Sequence, residues 1–308
     1  MSYTEVRSTN PYLTVDWILG NSCNYNCTYC NDDLKDGSSG WPDLSQALRF
    51  LDTLAATNRD IMLILSGGEP TLWRDLNTFV KEAKTRSAKI KLITNGFRKP
   101  SYWDDISANL DSVVFSLHAD QTPNIQQFIN NFNSVLSEDK TVLLLAWPQS
   151  WGKVVDYHSA VKVGITSGSL QLKPVDGRWQ GNSAIIDYTD SQLDWLANNM
   201  MYRASKYNDT YHHSYLINGD VQEKIDASTI IEKKNSFYGW KCNIGIDKLT
   251  INQHGDIWGG TCGVGGMLGN FKNMDLILPT ASQTCTMQYC NCMPDLLLSK
   301  HIDRESNA

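Results

Sequence analysis

Six short apolar runs that recur along this chain constrain its fold more than any other feature. Each run ends in polar or glycine residues, and after the first gap the runs recur at intervals of about 22 to 29 residues. Continuous apolar strands that alternate with helices are typical of a parallel sheet covered by helices. The runs are Leu13–Leu19, Ile61–Leu65, Ile90–Ile93, Val113–Leu117, Val142–Trp147 and Leu170–Leu172.

The stretches between the runs have helical periodicity. Leu44–Leu54 places apolar residues on one face of a helix, and Leu72–Ala83, Ile125–Leu136 and Leu193–Met201 are similar but less regular. We therefore predict an α/β fold, a partial (β/α)6 barrel rather than a flat nucleotide-binding sheet, although periodicity alone fits both. Barrel enzymes place their sites at the carboxyl ends of the strands, where the unusual residues of this chain also lie.

Three cysteines follow the first run. Cys23, Cys27 and Cys30 have the spacing Cys-x3-Cys-x2-Cys on a predicted loop. Thiolates this close can converge on one metal centre, and a [4Fe–4S] cube held by three of them keeps one iron open for chemistry. A zinc knuckle or a disulfide pair is the alternative. Zinc needs a fourth ligand, which Asp32 or Asp33 would supply poorly beside three thiolates.

The second run ends in the segment Ser66-Gly67-Gly68-Glu69-Pro70. Two glycines let the backbone approach a ligand closely, and a carboxylate here can accept hydrogen bonds from an ammonium. A tight turn before the next helix would use the same residue types.

Together, the cysteine spacing and the SGGEP segment resemble the motifs of the radical S-adenosylmethionine (radical SAM) superfamily. The resemblance implies that the open iron chelates the amino and carboxylate groups of SAM and reduces its sulfonium to a 5′-deoxyadenosyl radical. It implies that Tyr29 lies against the adenine. It also implies backbone contacts from Gly67, Gly68 and Glu69 to the methionine amine of SAM. A reductant such as flavodoxin or ferredoxin would supply the electron.

Polar residues at later strand ends extend the predicted site. The resemblance implies that Asn95 and Ser116 touch the ribose and carboxylate of SAM, although turn or cap roles are the alternative for each. Other polar residues predicted near the barrel mouth could hold a substrate or move a proton, but the sequence does not rank them and the catalytic residue stays unknown. They are His118, Asp120, Lys173, Asp176 and Arg178.

A second set of cysteines lies near the carboxyl terminus. Leu249–Asn252 and Asp256–Trp258 alternate apolar and polar residues around a turn, which predicts a β-hairpin. Cys242 and Cys262 flank this hairpin, so their thiols should meet at its open end. Cys285, Cys290 and Cys292 follow within eight residues.

This arrangement resembles the auxiliary-cluster domains of radical SAM enzymes that are named SPASM, or twitch when truncated. The resemblance implies an additional [4Fe–4S] cluster held by Cys242, Cys262 and two of Cys285, Cys290 and Cys292. The single-cluster twitch form is favoured because these five cysteines include no CxxC, which the full pattern has. A structural zinc site would use the same thiolates. The predicted organisation is a lead-in at 1–12, a radical SAM partial barrel at 13–207, a connection at 208–240 and the auxiliary domain at 241–308.

Composition limits the remaining classes of function. A net charge of −6 speaks against a nucleic-acid surface, and neither a secretory signal nor a membrane-spanning run is visible. Eight cysteines without a signal predict a reducing compartment, the cytoplasm. We expect a radical SAM oxidoreductase acting on a peptide or protein side chain, by dehydrogenation or cross-linking. The alternatives are a small metabolite such as a sugar, aminoglycoside or nucleotide, and a non-catalytic iron–sulfur sensor.

Overall fold

The computed structural model describes residues 3–175, 188–204, 212–226, 229–230 and 232–302. The strands are β1 Glu5–Ser8, β2 Leu13–Ile18, β3 Ile61–Ser66, β4 Lys89–Thr94, β5 Ser112–His118, β6 Asp139–Ala146, β7 Ser169–Pro174, β8 Met201–Arg203, β9 Ser214–Asn218, β10 Val221–Lys224, β11 Lys241–Cys242, β12 Lys248–Ile251, β13 Asp256–Trp258, β14 Met267–Asn270, β15 Asp275–Leu276, β16 Gln283–Thr284 and β17 Lys300–His301. The α-helices are α1 Leu44–Ala55, α2 Leu76–Thr85, α3 Pro100–Ile106, α4 Ile125–Ser134, α5 Trp151–Gly164, α6 Asp190–Asn199 and α7 Met293–Leu296. None of the helices described is both long and apolar enough to cross a membrane.

The chain divides into two compact units. We call the first, residues 18–44 and 64–210, the sheet unit, and the second, residues 1–17, 45–63 and 211–308, the cysteine-rich unit. The division cuts through β2, β3 and the first turn of α1. It differs from the linear boundaries expected from sequence, and those boundaries stay a prediction.

The sheet unit contains the strand order β3-β4-β5-β6-β7-β8. Strands β4 to β7 pair in parallel, and β8 closes the edge antiparallel to β7. The ring of Phe115 on β5 packs against Trp103, Phe128 and Phe132 with centroid separations of 4.7 to 5.7 Å. These contacts pack α3 and α4 against the sheet, as expected for a parallel sheet, whose faces are normally covered by helices. The predicted α/β fold with its parallel sheet is therefore confirmed.

The cysteine-rich unit holds two groups of strands. One has the order β15-β14-β13-β12-β2-β3, in which the predicted hairpin appears as β12 and β13 with Thr250 opposite Trp258. The other is a sheet with the order β10-β9-β1-β17-β11-β16. The core of the cysteine-rich unit includes Trp17, Phe50 and Phe271, whose rings lie 5.2 to 6.1 Å apart.

One sequence-based expectation needs correction. The helix expected at Leu193–Met201 ends at Asn199, because Met201–Arg203 pairs with Ser169–Gln171 as an edge strand. The connection expected at 208–240 contains the hairpin of β9 and β10, which turns at Gly219 with a φ of 58°. A left-handed φ suits glycine, which lacks a Cβ.

Candidate functional site

The loop that carries Cys23, Cys27 and Cys30 is braced from inside by Asn21. This side chain is 1% exposed and donates to the carbonyl of Asp33 at 3.0 Å and to Asp36 Oδ1 at 2.6 Å. Its own oxygen accepts from the amide of Ser39 at 2.9 Å. A buried amide with its hydrogen bonds satisfied fixes the segment around it. Asn21 therefore ties both ends of the cysteine loop to the end of β2.

The glycine pair after β3 lies directly against this loop. The amide of Gly68 donates to the carbonyl of Gly20 at 2.9 Å, and the amide of Glu69 donates to the carbonyl of Ser22 at 2.8 Å. Gly67 has a φ of 144°, and a Cβ there would lie 2.5 Å from the Gly20 oxygen. Glycine is thus required because two backbones meet without room for side chains.

Replacement of Gly68 by alanine tests this close approach. A Cβ at Gly68 would lie 2.3 Å from the carbonyl oxygen of Ser22, so the two backbones must separate. We expect Gly68→Ala to lower the free energy of unfolding by about 3 kcal/mol, measured by chemical denaturation. Gly152→Ala in α5 is the matched control, since a Cβ there meets nothing within 4 Å. It should stabilise by up to about 1 kcal/mol. Equal stability of the two variants would contradict the packing described.

The carboxylate of Glu69 is directed into the protein. It is 0% exposed and accepts from the amide of Thr71 at 3.0 Å, the hydroxyls of Thr71 and Thr94 at 2.6 and 2.7 Å, and the amide of Asn95 at 2.6 Å. Burial raises the pKa of Glu69, against the effect of these donors. The side chain caps the short 3-10 helix at Pro70–Leu72 and joins it to the end of β4. Its role in this structure is to hold two strand ends together.

A cavity of about 170 Å³ opens at the strand ends of the sheet unit. It brings together most of the residues predicted to bind the iron–sulfur cluster and SAM. They are Cys23, Cys27, Cys30, Gly67, Gly68, Asn95 and Ser116. Neither Glu69 nor Tyr29 is among the lining residues. The other lining residues were not assigned to SAM from sequence, and they include Tyr25, Lys35 and His118.

The side chain of Tyr29 does not line the cavity and lies in a buried group of aromatic rings. Its ring stacks on His118 with centroids 6.0 Å apart, and its hydroxyl lies 2.8 Å from His118 Nδ1. The hydroxyl also donates to Asp120 Oδ1 at 3.2 Å. The same imidazole nitrogen is 3.3 Å from Cys27 Sγ. Burial lowers the pKa of His118 to about 4, so the imidazole is neutral at pH 7.

Lys35 is the residue that sequence reasoning missed most clearly. Its ammonium donates to the carbonyl of Cys27 at 2.9 Å and lies 3.1 Å from Asp32 Oδ1. The side chain of Lys35 is 13% exposed, whereas that of Asp32 is 89% exposed. A lysine five residues after the last loop cysteine was the available signal. Of the rim residues expected from sequence, Lys173 is exposed at the end of β7, and Asp176 and Arg178 lie outside the described residues.

A separate cavity of about 160 Å³ lies within the cysteine-rich unit. Hydrogen bonds from three cysteine amides hold the backbone around this cavity. The amide of Cys262 donates to Asp295 Oδ2 at 3.0 Å, and the amides of Cys285 and Cys290 donate to carbonyls at 2.8 Å. Asp295 and Lys300 also line the cavity. All the cysteines predicted to hold the auxiliary metal meet here, namely Cys242, Cys262, Cys285, Cys290 and Cys292.

The cysteine thiols of both cavities must lose their protons in order to bind a metal. Burial raises the pKa of Cys27 and Cys290 to about 12 and that of Cys262 to about 11. These thiols keep their protons at neutral pH until a bound metal cation displaces the protons. Across the described ranges, no three Cys, His, Asp or Glu side chains come close enough to share one metal ion. An iron–sulfur cube has a different requirement, because each thiolate binds its own iron.

Comparisons with known proteins agree with this site. The family model of the Radical SAM superfamily matches residues 17–135. An S-adenosylmethionine-dependent nucleotide dehydratase from Psychrobacter lutiphocae is 29% identical over 160 residues, which cover 46% of this chain and 52% of that protein. The chain thus matches about half the length of this curated relative.

Two solved structures share the fold. Streptococcus suis SuiB bound to precursor peptide SuiA has a TM-score of 0.53 at 15% identity, covering 86% of this chain and 63% of that chain. Native anSMEcpe with bound AdoMet and Kp18Cys peptide has a TM-score of 0.52 at 16% identity, covering 86% and 79%. The family match covers the cysteine loop, the glycine pair and β5. Residues 17–135 of this chain therefore match the radical SAM superfamily, and this match implies a [4Fe–4S] cluster and SAM as cofactors.

Proposed function

We propose that this protein cleaves SAM reductively and removes a hydrogen atom from a peptide or protein side chain, for a net dehydrogenation or cross-link. The observation that carries the proposal is the cavity in which Cys23, Cys27 and Cys30 meet the glycine pair. These cysteines would hold the cluster through three of its irons. When bound, the cluster and SAM supply a 5′-deoxyadenosyl radical, with an electron from a reductant such as flavodoxin or ferredoxin.

The protein would hold SAM through groups on both sides of the cavity. The amino group of SAM donates hydrogen bonds, so the backbone groups suited to accept them are the carbonyls of Gly67 and Gly68, two residues that line the cavity; the amides of Gly68 and Glu69 donate to the cysteine loop instead. Asn95 and Ser116 offer polar side chains farther along the cavity. Tyr25 presents an aromatic ring to the cavity. We infer that Tyr29 acts indirectly, by positioning His118 through its hydroxyl group.

The carboxylate of SAM needs a cation, and Lys35 is the lysine in the cavity wall. A charge-assisted hydrogen bond contributes about 1.5 to 3 kcal/mol. We expect Lys35→Met to weaken SAM binding by about tenfold or more, measured by calorimetry on reconstituted protein. Iron content should not change, because Lys35 contacts the carbonyl of Cys27 and the exposed carboxylate of Asp32, and neither group is a predicted cluster ligand.

The matched control is Lys153→Met, which removes an exposed lysine from the same unit. It should leave SAM affinity at the wild-type level. Unchanged affinity in Lys35→Met with full iron content would show that another group binds the carboxylate. A complete absence of SAM binding in the wild-type protein would favour the non-catalytic sensor instead.

We infer that the cavity of the cysteine-rich unit holds an auxiliary [4Fe–4S] cluster. A structural zinc ion, which binds thiolates at about 2.3 Å, would use the same cysteines and is the alternative. When bound, such a cluster would supply an acceptor for the electron that an oxidised substrate loses. Iron and zinc analysis with EPR on anaerobic protein tests this assignment. About eight irons per chain would support it. About four irons with one zinc would mean that the site is structural only. There would then be no reason to expect a net oxidation of the substrate.

The substrate class rests on weaker support. The two structures that share the fold have bound peptides, which favours a peptide. The name of the Psychrobacter relative favours a nucleotide as the second candidate. Release of 5′-deoxyadenosine can be measured with peptides encoded beside the gene and with a panel of ribonucleotides. Stimulation by a nucleotide and by no peptide would reject the first candidate.

A further inference from the structure

Lys300 is a buried lysine directly opposite a predicted metal ligand. It is 2% exposed, and its Cα partner across the antiparallel pair of β17 and β11 is Cys242. Side chains directly opposite each other on paired strands lie on the same face of the sheet. Both residues also line the cavity that contains the other four cysteines of this unit. The register therefore places a fixed ammonium in the wall of the thiol-lined cavity.

The surroundings of Lys300 hold its charge in place without neutralising it. Its ammonium donates to the carbonyls of Asp295, Leu296 and Leu298 at 2.6, 3.1 and 3.0 Å. It lies 5.3 Å from the centre of the Phe237 ring. Within the described part of the chain, no carboxylate oxygen lies within 4.0 Å of this ammonium. Carbonyl dipoles and an aromatic face position the cation but leave its full positive charge.

The neighbouring buried lysine is different. Lys248 lies between two carboxylates, 2.9 Å from Asp16 Oδ2 and 2.7 Å from Asp295 Oδ1. The second oxygen of Asp295 accepts from the amide of Cys262. Lys248 is therefore neutralised within the protein, and this carboxylate bridge orients the loop that bears Cys262. In contrast, Lys300 keeps its positive charge, which can act on the thiolates that line the same cavity.

We propose that Lys300 is a positioning residue that compensates the negative charge of the auxiliary cluster and raises its reduction potential. This inference rests on the proposed auxiliary cluster. Four thiolate ligands make such a centre anionic, and one-electron reduction adds another negative charge. A nearby buried cation favours the reduced form, because net charge and burial set the potentials of iron–sulfur centres and charges act strongly away from water.

The test uses the full chain with Cys23, Cys27 and Cys30 all replaced by alanine, so that only the auxiliary site can hold a cluster. The reduced fraction is measured by EPR during a redox titration, together with iron content. Lys300→Gln should lower the ratio of reduced to oxidised cluster about tenfold at a fixed potential, equal to ~59 mV for one electron. Lys300→Arg should retain most of the wild-type potential. The control Lys272→Gln removes an exposed lysine of the same unit and should change nothing.

A variant of opposite charge separates electrostatics from packing. Asp295→Asn removes a negative charge from the same cavity wall and should shift the potential upward. If Lys300→Gln fails to hold iron, this upward shift still supports the proposal, and no shift or a downward one overturns it. Iron bound with an unchanged potential in Lys300→Gln would overturn the role of Lys300 alone. Absence of iron from the parent variant would overturn the auxiliary cluster and this inference together.

Discussion

Replacement of Cys27 by alanine is expected to abolish SAM cleavage. Cys27 is buried at the centre of the loop, beside His118, and lines the cavity with the other two cysteines. With two ligands the N-terminal cluster would not be retained. Loss of groups that merely support a ligand costs about 10- to 100-fold, so loss of a ligand should exceed 100-fold. The measurement is 5′-deoxyadenosine released by anaerobically reconstituted protein with dithionite and SAM.

Iron content decides how that result is interpreted. The variant should retain about four irons per chain in the cysteine-rich unit, as expected when one of two cubes is lost. When both are prepared without iron, its melting temperature should be close to that of the wild-type protein. Release of 5′-deoxyadenosine at the wild-type rate would remove the N-terminal loop from the chemistry.

Replacement of Cys242 by alanine should have the complementary effect. Cys242 is buried in β11 and lines the second cavity, which belongs to the cysteine-rich unit. SAM cleavage should remain measurable, because the cavity proposed to bind SAM is formed by the sheet unit. Formation of the oxidised product should stop, and iron should fall from about eight to about four per chain.

The two cysteine variants are controls for each other, since each removes one buried thiol. Normal substrate turnover by Cys242→Ala with reduced iron would show that the second site is structural only. Retention of all iron by Cys242→Ala would remove Cys242 from the ligand set. The complementary losses are expected only if the two cysteine groups bind separate centres.

The strands of the parallel sheet were predictable because their signal is local. Each is a continuous apolar run, and burial on both faces of a parallel sheet requires such a run. Ile61–Leu65 and Val113–Leu117 lie within β3 and β5 of the structure. The same local signal was absent for β11 and β17, which are two residues long and pair across almost sixty residues of chain. No periodicity can be read from strands of that length.

The sequence by itself determined the resemblance to the radical SAM superfamily and the candidate cysteine ligands, because the cysteines proposed for the first cluster lie within eight residues of one another and the glycine pair follows the next strand. Tertiary structure alone decided which polar groups serve these sites. Lys35 lines the first cavity, Glu69 is turned inward by four donors, and Lys300 lies opposite Cys242 only through the strand register. Such contacts join residues from distant segments, and their geometry depends on the packed structure rather than on local spacing.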